Sequence, residues 1–324
     1  MRLFWLICTA LTLSACTGDE NSDDDDTETD EETDTDTDSE DDSVWKNRSI
    51  ETSTTLNAVY TSGTGAWVFG GAGAGWRISQ GSAETINLEV SDDLRGVFGT
   101  TSEALTVVGY SGTVVSVSDD LSSTVVDIGT ANLNDVDGTS SDLTAVGRAG
   151  VYRMTGGEWA FEHAAFGGAL NDVYIRGDEA WAVGDAGLVM KRDSDGWQSV
   201  AVESNVNLHG IYGGAGMSLW IVGDLGTVLY HDGEIWTDRS IVAKTNLWSV
   251  WVGDDGHPIV VGSNGTALKW NPELGGEDTD ISEGFEEMNT GITNNLYRVF
   301  GSDVNNVWAV GNRGTVLRYT GGSE

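Results

Sequence analysis

The sequence predicts an all-β fold, a seven-bladed β-propeller whose blades are four-stranded antiparallel sheets. Two glycines spaced three residues apart recur seven times, and the first glycines follow each other at steps of 39, 38, 37, 39, 39 and 49 residues. A leucine opens each repeat, and an apolar strand leads into each first glycine. A regular period of this length, with content for four short strands, is typical of a propeller blade.

The paired glycines predict a tight turn in every repeat. The pairs are Gly70 and Gly73, Gly109 and Gly112, Gly147 and Gly150, Gly184 and Gly187, Gly223 and Gly226, Gly262 and Gly265, and Gly311 and Gly314. We expect glycine there because it accepts positive φ without steric cost. A nucleotide-binding glycine loop would have to open a helix, and residues 44–324 show no sustained helical periodicity.

The tryptophans follow the same period. Four lie three residues before the first glycine of a repeat, and four lie eleven residues before the next opening leucine: Trp67, Trp181, Trp220 and Trp308, and Trp45, Trp159, Trp197 and Trp236. Repeat positions favour packing between blades over a carbohydrate-binding strip. Phe285 takes the second tryptophan position in the sixth repeat, so the 49-residue step is expected to hold an insertion, Pro272 to Gly284.

The two chain ends are predicted to share one blade. The last repeat stops after Tyr319, where the others continue into a tryptophan strand. That strand is present at the other end, because residues 45–50 closely match residues 236–241. We expect residues 44–52 to form the outermost strand of the last blade and so to close the ring.

Residues 1–15 are typical of a signal peptide, with Arg2 ahead of an apolar run that is too short to span a bilayer. The sequence Leu13-Ser14-Ala15-Cys16 resembles the lipobox of bacterial lipoproteins. This resemblance implies a lipid on Cys16 and an anchor in the bacterial outer membrane, on the periplasmic face or the cell surface. An ordinary cleavable signal is the alternative. With a lipid on Cys16, the folded domain contains no cysteine for disulfides.

Residues 16–43 are expected to be a disordered acidic tether, since residues 19–42 hold 16 Asp or Glu and no Lys or Arg. Residues 44–324 form the propeller domain and carry 36 acidic against 15 basic side chains. This charge argues against nucleic-acid binding. Weak calcium binding by the tether is the alternative to a plain linker.

The blade pattern resembles the repeats of the Ycf48/Hcf136-like, BNR-type propellers, which include bacterial lipoproteins. It reads Leu-x-x-Val-Phe, then Trp-Ala-Val-Gly-x-x-Gly-Thr-Val-Leu, then Gly-x-x-Trp, and extends over residues 45–322. Photosynthetic members have an arginine-rich surface for membrane-protein partners. This acidic chain shows no comparable cluster, so that role does not transfer.

The same resemblance implies an alternative function, that of a sialidase-like glycosidase. Such an enzyme would need an arginine triad with a tyrosine and carboxylates. The sequence alone does not show whether its scattered arginines converge: Arg95, Arg148, Arg153, Arg298 and Arg313. No acid-base set is recognisable. The four histidines lack metal-ligand spacing, so no metal or other cofactor is expected, and calcium at acidic turns such as residues 193–196 and 254–256 is the alternative.

Positions that differ between otherwise similar repeats are the candidate binding surface. The residues directly after the opening leucines are expected near one end of the central channel: Asn57, Arg95, Asn134, Asn171, His209, Trp248 and Tyr297. Residues directly after the first glycines are expected to ring one face, and the candidates among them are Tyr110, Arg148, Asp185, Asp224 and Asn312. A mixed polar ring of this kind suits a polar ligand or a partner loop. The alternative is that residues on exposed turns vary freely, without a role in binding.

The sequence therefore predicts a lipid-anchored, non-catalytic scaffold of the cell envelope. Its expected partners are the membrane, through the lipid, and an envelope or extracellular protein or polysaccharide. The blade-six insertion is a further candidate contact. The alternatives are the BNR-type glycosidase and a purely structural surface lipoprotein, and the fold alone does not decide among them.

Overall fold

The computed structural model describes residues 44–79, 81–101, 104–165, 167–214, 216–274 and 284–321. These residues form seven four-stranded antiparallel sheets, which confirms the predicted fold class. The first strand of each sheet packs against the first strands of the two neighbouring sheets, and the last sheet packs against the first. The seven first strands therefore line a central channel.

The strands follow the chain blade by blade. The N-terminal strand is β1 (Trp45–Asn47). Blades one to three contain β2 (Leu56–Ser62), β3 (Gly65–Gly70), β4 (Gly75–Ser79), β5 (Ser82–Thr85), β6 (Leu94–Thr101), β7 (Ala104–Gly109), β8 (Thr113–Ser118), β9 (Ser123–Asp127), β10 (Leu133–Gly138), β11 (Asp142–Gly147), β12 (Gly150–Thr155) and β13 (Glu158–Ala164). Blades four and five contain β14 (Leu170–Arg176), β15 (Glu179–Gly184), β16 (Val189–Asp193), β17 (Gly196–Ser199), β18 (Leu208–Gly213), β19 (Leu219–Gly223), β20 (Val228–His231) and β21 (Trp236–Asp238). Blades six and seven contain β22 (Leu247–Val252), β23 (Pro258–Gly262), β24 (Ala267–Trp270), β25 (Phe285–Glu287), β26 (Leu296–Asp303), β27 (Asn306–Gly311) and β28 (Val316–Tyr319).

Short 3-10 turns join the second and third strands of six blades, at Gly71–Gly73, Tyr110–Gly112, Asp185–Gly187, Asp224–Gly226, Ser263–Gly265 and Asn312–Gly314. The second glycine of each pair has positive φ, for example +68° at Gly73. The prediction of positive φ is wrong for the first glycine, which is extended, with φ of −162° at Gly70. That position excludes a side chain for another reason, because a Cβ on Gly70 would collide with the carbonyl oxygen of Thr55.

The repeated tryptophans lie in the core between blades, as predicted. Trp67, Trp181, Trp220 and Trp308 are at most 5% exposed. Trp308, for example, packs in a cluster with Leu56, Val59 and Val68 of the next blade. Trp45 and Trp197 are also buried, whereas Trp159 and Trp236 are half-buried. These rings stabilise the contact of one blade with the next.

The chain ends close the ring as predicted. Strand β1 pairs antiparallel with β28, and Trp45 lies opposite Tyr319 with their rings 5.5 Å apart. The backbone N–H of Arg48 donates to Val316 at 2.8 Å, and that of Ile50 donates to Gly314 at 2.9 Å. Residues 45–50 therefore cover the edge that β28 would otherwise expose.

The sixth blade keeps its four strands around the insertion. Phe285 lies opposite Trp270 in the pairing of β24 with β25, as expected for a residue that replaces the repeated tryptophan. Residues 275–283 of the insertion lie outside the described residues, as do residues 1–43 with Cys16 and the acidic tether. Across the described part of the chain, no helix has the length and apolar character needed to cross a membrane.

Candidate functional site

One cavity at an end of the channel gathers the seven residues that follow the opening leucines. The cavity measures about 420 Å³, and we call it the polar cavity; its members from that set are Asn57, Arg95, Asn134, Asn171, His209, Trp248 and Tyr297. Every blade therefore contributes one of the predicted side chains to the same site.

A β-bulge in each first strand explains this convergence. The pairing of β2 with β3 shifts between Leu56 and Ala58, so Asn57 has no partner in the ladder. The same shift follows the opening leucine in the other six blades. A bulge bends the strand and re-aims the extra residue, so each of the seven side chains turns toward the end of the channel.

The three asparagines of the polar cavity link neighbouring blades and also face the cavity. Asn57 Nδ2 donates to the carbonyl oxygen of Leu94, the opening leucine of the next blade, at 3.0 Å. Asn134 and Asn171 make the same bond to their next blades at 2.8 and 2.9 Å. Their Oδ1 atoms have no hydrogen-bond partner within the described residues. The amide N–H groups thus link neighbouring blades, and the Oδ1 atoms are available to accept hydrogen bonds from a ligand.

Aromatic rings of blades five to seven line the polar cavity, and the guanidinium of Arg95 lines it on blade two. The ring of Trp248 lies 4.4 Å from that of His209 and 5.6 Å from that of Tyr297, measured between centroids. The Arg95 guanidinium lies 5.4 Å from the centroid of Tyr110. These side chains provide flat apolar faces next to hydrogen-bond donors, a combination suited to recognising polar molecules.

Residues directly after the first glycines bond to three side chains of the polar cavity. Asp224 Oδ1 lies 2.7 Å from His209 Nε2, and Ser263 Oγ accepts from Trp248 Nε1 at 3.0 Å. Asp185 Oδ1 accepts from the Asn171 amide at 3.1 Å. The turn residue and the bulged residue of one blade therefore position each other.

The remaining predicted turn residues also lie beside the polar cavity. Tyr110, Arg148 and Asp185 line a shallow depression of about 690 Å³, which shares Asn134 with the polar cavity. Asn312 Oδ1 accepts from the hydroxyl of Thr55, itself a lining residue of the polar cavity, at 3.2 Å. The two predicted sets thus meet at one end of the channel.

A second cavity lies further along the first strands. It measures about 330 Å³, and we call it the inner cavity; its lining includes Tyr60, Phe98, Asp137, Tyr174, Tyr212 and Phe300. Arg298 lines both cavities. Its Nη1 donates to Asp172 at 2.6 Å and its Nη2 donates to Asp135 at 2.5 Å. This charged cluster joins blades three, four and seven across the channel.

The two acids of the charged cluster are buried, and burial changes the pKa of Asp135. Asp135 is 1% exposed and Asp172 is 3% exposed. Burial raises the pKa of Asp135 well above its ordinary value, although Arg298 opposes the change. Burial alone would lower the pKa of Arg298, but the two carboxylates raise it above its ordinary value. Arg298 therefore stays charged and holds both acids.

Sequence reasoning missed Asp135 and Asp172. The available signal was the position two residues after the opening leucine, which reads Ala, Gly, Asp, Asp, Gly, Ser and Arg through the seven repeats. The charged residues at this position are Asp135, Asp172 and Arg298, and these three form the buried cluster.

Two of the five arginines considered for a glycosidase triad line one cavity, and within the described residues the other three do not join them there. Arg95 and Arg298 line the polar cavity, and Arg298 is committed to two carboxylates. Arg148 lines the neighbouring depression. Arg153 pairs with Asp142 along blade three, and Arg313 lies in the turn before β28.

Within the described residues, no group of three or more His, Cys, Asp or Glu side chains is arranged to hold a metal ion. The acidic turns considered for calcium bond to their own backbone. Asp193 Oδ1 accepts from the N–H of Asp195 at 2.8 Å, and Asp255 Oδ1 accepts from that of His257 at 3.0 Å. These carboxylates stabilise turns.

Neither a family model nor a curated protein matches this sequence. Solved structures do match. YCF48 bound to D1 peptide has a TM-score of 0.69 at 14% identity, over 85% of this chain and 96% of that one. YCF48 from Cyanidioschyzon merolae has a TM-score of 0.68 at 13% identity, over 85% and 98%.

The WD40 propeller domain of Doa1 also matches, with a TM-score of 0.70 at 9% identity, over 87% of this chain and 98% of that domain. Likeness at such low identities concerns the fold. It confirms the predicted resemblance to Ycf48 at that level: the chain is a seven-bladed β-propeller similar in structure to Ycf48.

Proposed function

We propose that the protein is a non-catalytic scaffold that binds a segment of a partner protein in the polar cavity. The observation that carries this proposal is the convergence of one bulged side chain from every blade on a single cavity. Bulges next to binding sites commonly serve to aim side chains.

The chemistry of the polar cavity suits a peptide. Asparagine Oδ1 atoms are able to accept hydrogen bonds from peptide N–H groups, and Arg95 is able to donate to carbonyl or carboxylate oxygens. Trp248 and Tyr297 offer faces for an apolar or aromatic side chain. A volume of about 420 Å³ suits a few residues of an extended or looped segment.

The structural neighbours add a precedent. YCF48 has been solved with a D1 peptide bound, so a propeller of this fold accepts peptides. A polysaccharide is the other partner that the sequence suggests. We favour protein because the three asparagine acceptors and the arginine complement both groups of a peptide bond.

Selection of peptides tests this proposal. A phage-displayed random peptide library is enriched on the purified protein, and the affinities of selected peptides are measured by fluorescence polarisation. Trp248→Ala should weaken binding at least tenfold, because it removes an aromatic face of the cavity. Phe161→Ala is the matched control, since Phe161 is a 53% exposed aromatic residue on the outermost strand of blade three.

Binding that both substitutions leave unchanged, or that Phe161→Ala weakens as much as Trp248→Ala, would remove the polar cavity as the peptide site. The same polarisation assay with labelled envelope polysaccharides supplies the comparison. Tight polysaccharide binding that depends on Trp248, with no peptide enriched, would replace the protein partner by a glycan.

We further propose that Cys16 carries a lipid and anchors the propeller to the bacterial outer membrane. This rests on the lipobox resemblance of residues 13–16. The 27 residues between Cys16 and Val44 would then give a reach of roughly 30 Å, as estimated for a flexible coil. Metabolic labelling with an alkyne fatty acid should mark the wild-type chain and leave Cys16→Ala unlabelled and soluble. Membrane retention of an unlabelled Cys16→Ala chain would contradict the anchor.

A further inference from the structure

The inner cavity combines aromatic walls with a carboxylate that lacks a cationic partner. Tyr174 and Tyr212 lie with ring centroids 5.2 Å apart, and Tyr60 stacks on Phe300 at 5.5 Å. All four rings and Asp137 line the same volume of about 330 Å³. Rings that face an enclosed space favour organic cations there, because the ring faces carry partial negative charge.

Asp137 is the acid of the inner cavity that is available to pair with a cationic ligand. Its Oδ2 accepts from the N–H of Ile175 at 2.6 Å, and its Oδ1 accepts from that of Gly138 at 2.8 Å. No Lys, Arg or His in the described residues forms an ion pair with it. Arg298, in contrast, is already shared by Asp135 and Asp172.

The inner cavity holds more acidic than basic side chains. Asp135, Asp137 and Asp172 oppose one guanidinium, that of Arg298. Tyr174 and Tyr212 are the other titratable side chains that face Asp137. Ligand access is open, because Asp137, Gly138 and Ile175 at this end of the first strands are each partly exposed.

We propose that the inner cavity is a binding site for an alkylammonium group. The cation would lie against the tyrosine rings and pair with the Asp137 carboxylate, with the charged cluster of Arg298 as the floor of the site. Its source is either a free small amine or the side chain of a lysine in a peptide. The inner cavity shares Arg298 with the polar cavity and is otherwise lined by different residues, and its occupancy does not depend on the proposed peptide.

Burial raises the pKa of Asp137 to about 7, so this acid is partly protonated at neutral pH. An alkylammonium ligand favours the carboxylate and should therefore release a proton on binding. Affinity should rise as the pH increases from 6 to 8. The charged and titratable neighbours of Asp137 in the inner cavity are Asp135, Asp172, Arg298, Tyr174 and Tyr212.

Titration calorimetry on the full-length chain in non-ionic detergent tests the proposal with choline, butylamine and Nα-acetyl-lysine methylamide. At least one should bind saturably, and the neutral choline isostere 3,3-dimethyl-1-butanol should bind at least tenfold more weakly. Tighter binding of the lysine probe than of choline and butylamine would assign a peptide source, and the reverse order a free amine. Equal binding of choline and its neutral isostere, or no saturable binding of any cation, would overturn the site.

Substitutions locate the site. Asp137→Asn should lower the affinity at least tenfold and abolish the pH dependence, whereas Asp195→Asn, in an exposed turn of blade four, should change neither. Tyr174→Leu should weaken binding several-fold and Tyr174→Phe should restore most of it, because phenylalanine keeps the ring. Unchanged affinity in Asp137→Asn, or equal losses in the two Tyr174 variants, would contradict the assignment.

Discussion

Arg298 Nη1 donates a hydrogen bond of 2.6 Å to Oδ1 of Asp172, which lies 126 residues earlier in the chain. With the second bond to Asp135, one guanidinium connects blade seven to blades three and four. The bond lies where the two cavities meet, so it supports both of them.

Removal of this guanidinium should be costly. Arg298→Met leaves two buried carboxylates without a cation, and breaking a buried pair in this way typically costs about 3–5 kcal/mol. Urea denaturation at pH 7 measures the loss. The triple variant Arg298→Met, Asp135→Asn, Asp172→Asn should recover part of it, because no buried charge remains unpaired. The loss should also shrink at lower pH, where Asp135, whose pKa burial raises, takes up a proton. A single variant as stable as the wild type would contradict this reading.

Closure of the ring by Trp45 and Tyr319 predicts a second effect. Trp45→Ala removes a 1% exposed side chain, and truncation of a buried tryptophan costs about 3–5 kcal/mol. Deletion of residues 1–50 should in addition expose β28 and promote association of copies. Thermal melts and gel filtration report both effects. Deletion of residues 1–43 is the control and should leave the melting temperature unchanged; an equal loss in both deletions would contradict closure by β1.

Most of the fold was predictable because the repeat places the same residue type at the same structural position. Trp45 and Phe285 show this best, since Phe285 was assigned to an outermost strand from spacing and Trp45 from spacing together with the match of residues 45–50 to residues 236–241. The polar cavity was also predictable, because bulged residues such as Asn134 vary while the framework does not. The pairing of Arg298 with Asp172 was not, because blade seven meets blades three and four only across the channel.

The first glycines show a subtler limit of the sequence. Gly70 and Gly184 recur in the pattern, but the pattern does not show whether positive φ or close approach excludes a side chain. The structure assigns close approach, since a Cβ on Gly184 would meet the carbonyl oxygen of Ala169. Positive φ and close approach of the backbone both select glycine, so the sequence alone does not distinguish them.

Asp137 should make stability depend on pH. Its pKa is raised to about 7 from 3.8 by burial, so the folded state keeps a proton that the unfolded state has released. The stability that this provides is fully present below pH 3.8 and is lost as pH rises through 7, with a slope of up to about 1.4 kcal/mol per pH unit. The difference in urea midpoint between pH 5 and pH 7.5 measures it.

In Asp137→Asn this part of the pH dependence should disappear, and the variant should gain on the wild type as pH rises. The exposed Asp93→Asn is the control and should keep the wild-type pH profile. An Asp137→Asn profile parallel to that of the wild type would show that Asp137 titrates normally.

Leu225 predicts a stabilising substitution. It is 53% exposed and has φ of +58°, a conformation that strains a residue with a branched side chain. Leu225→Gly should raise the free energy of unfolding by about 0.5 kcal/mol, because relief of strain exceeds the added entropy of glycine in the unfolded chain. Asn264→Gly is the matched control at φ of +57° and should bring no gain, since asparagine tolerates this region. Equal effects at both positions would contradict a strain at Leu225.

The central claim is that bulged residues from the seven blades form a peptide-binding site. Hydrogen exchange with mass spectrometry on the protein with and without a selected peptide tests it most directly. We predict slower exchange at the starts of several first strands, including residues 56–58, 133–135 and 247–249, and unchanged exchange in the outermost strands β9 and β13. Protection confined to the outermost strands, with the starts of the first strands unchanged, would contradict it.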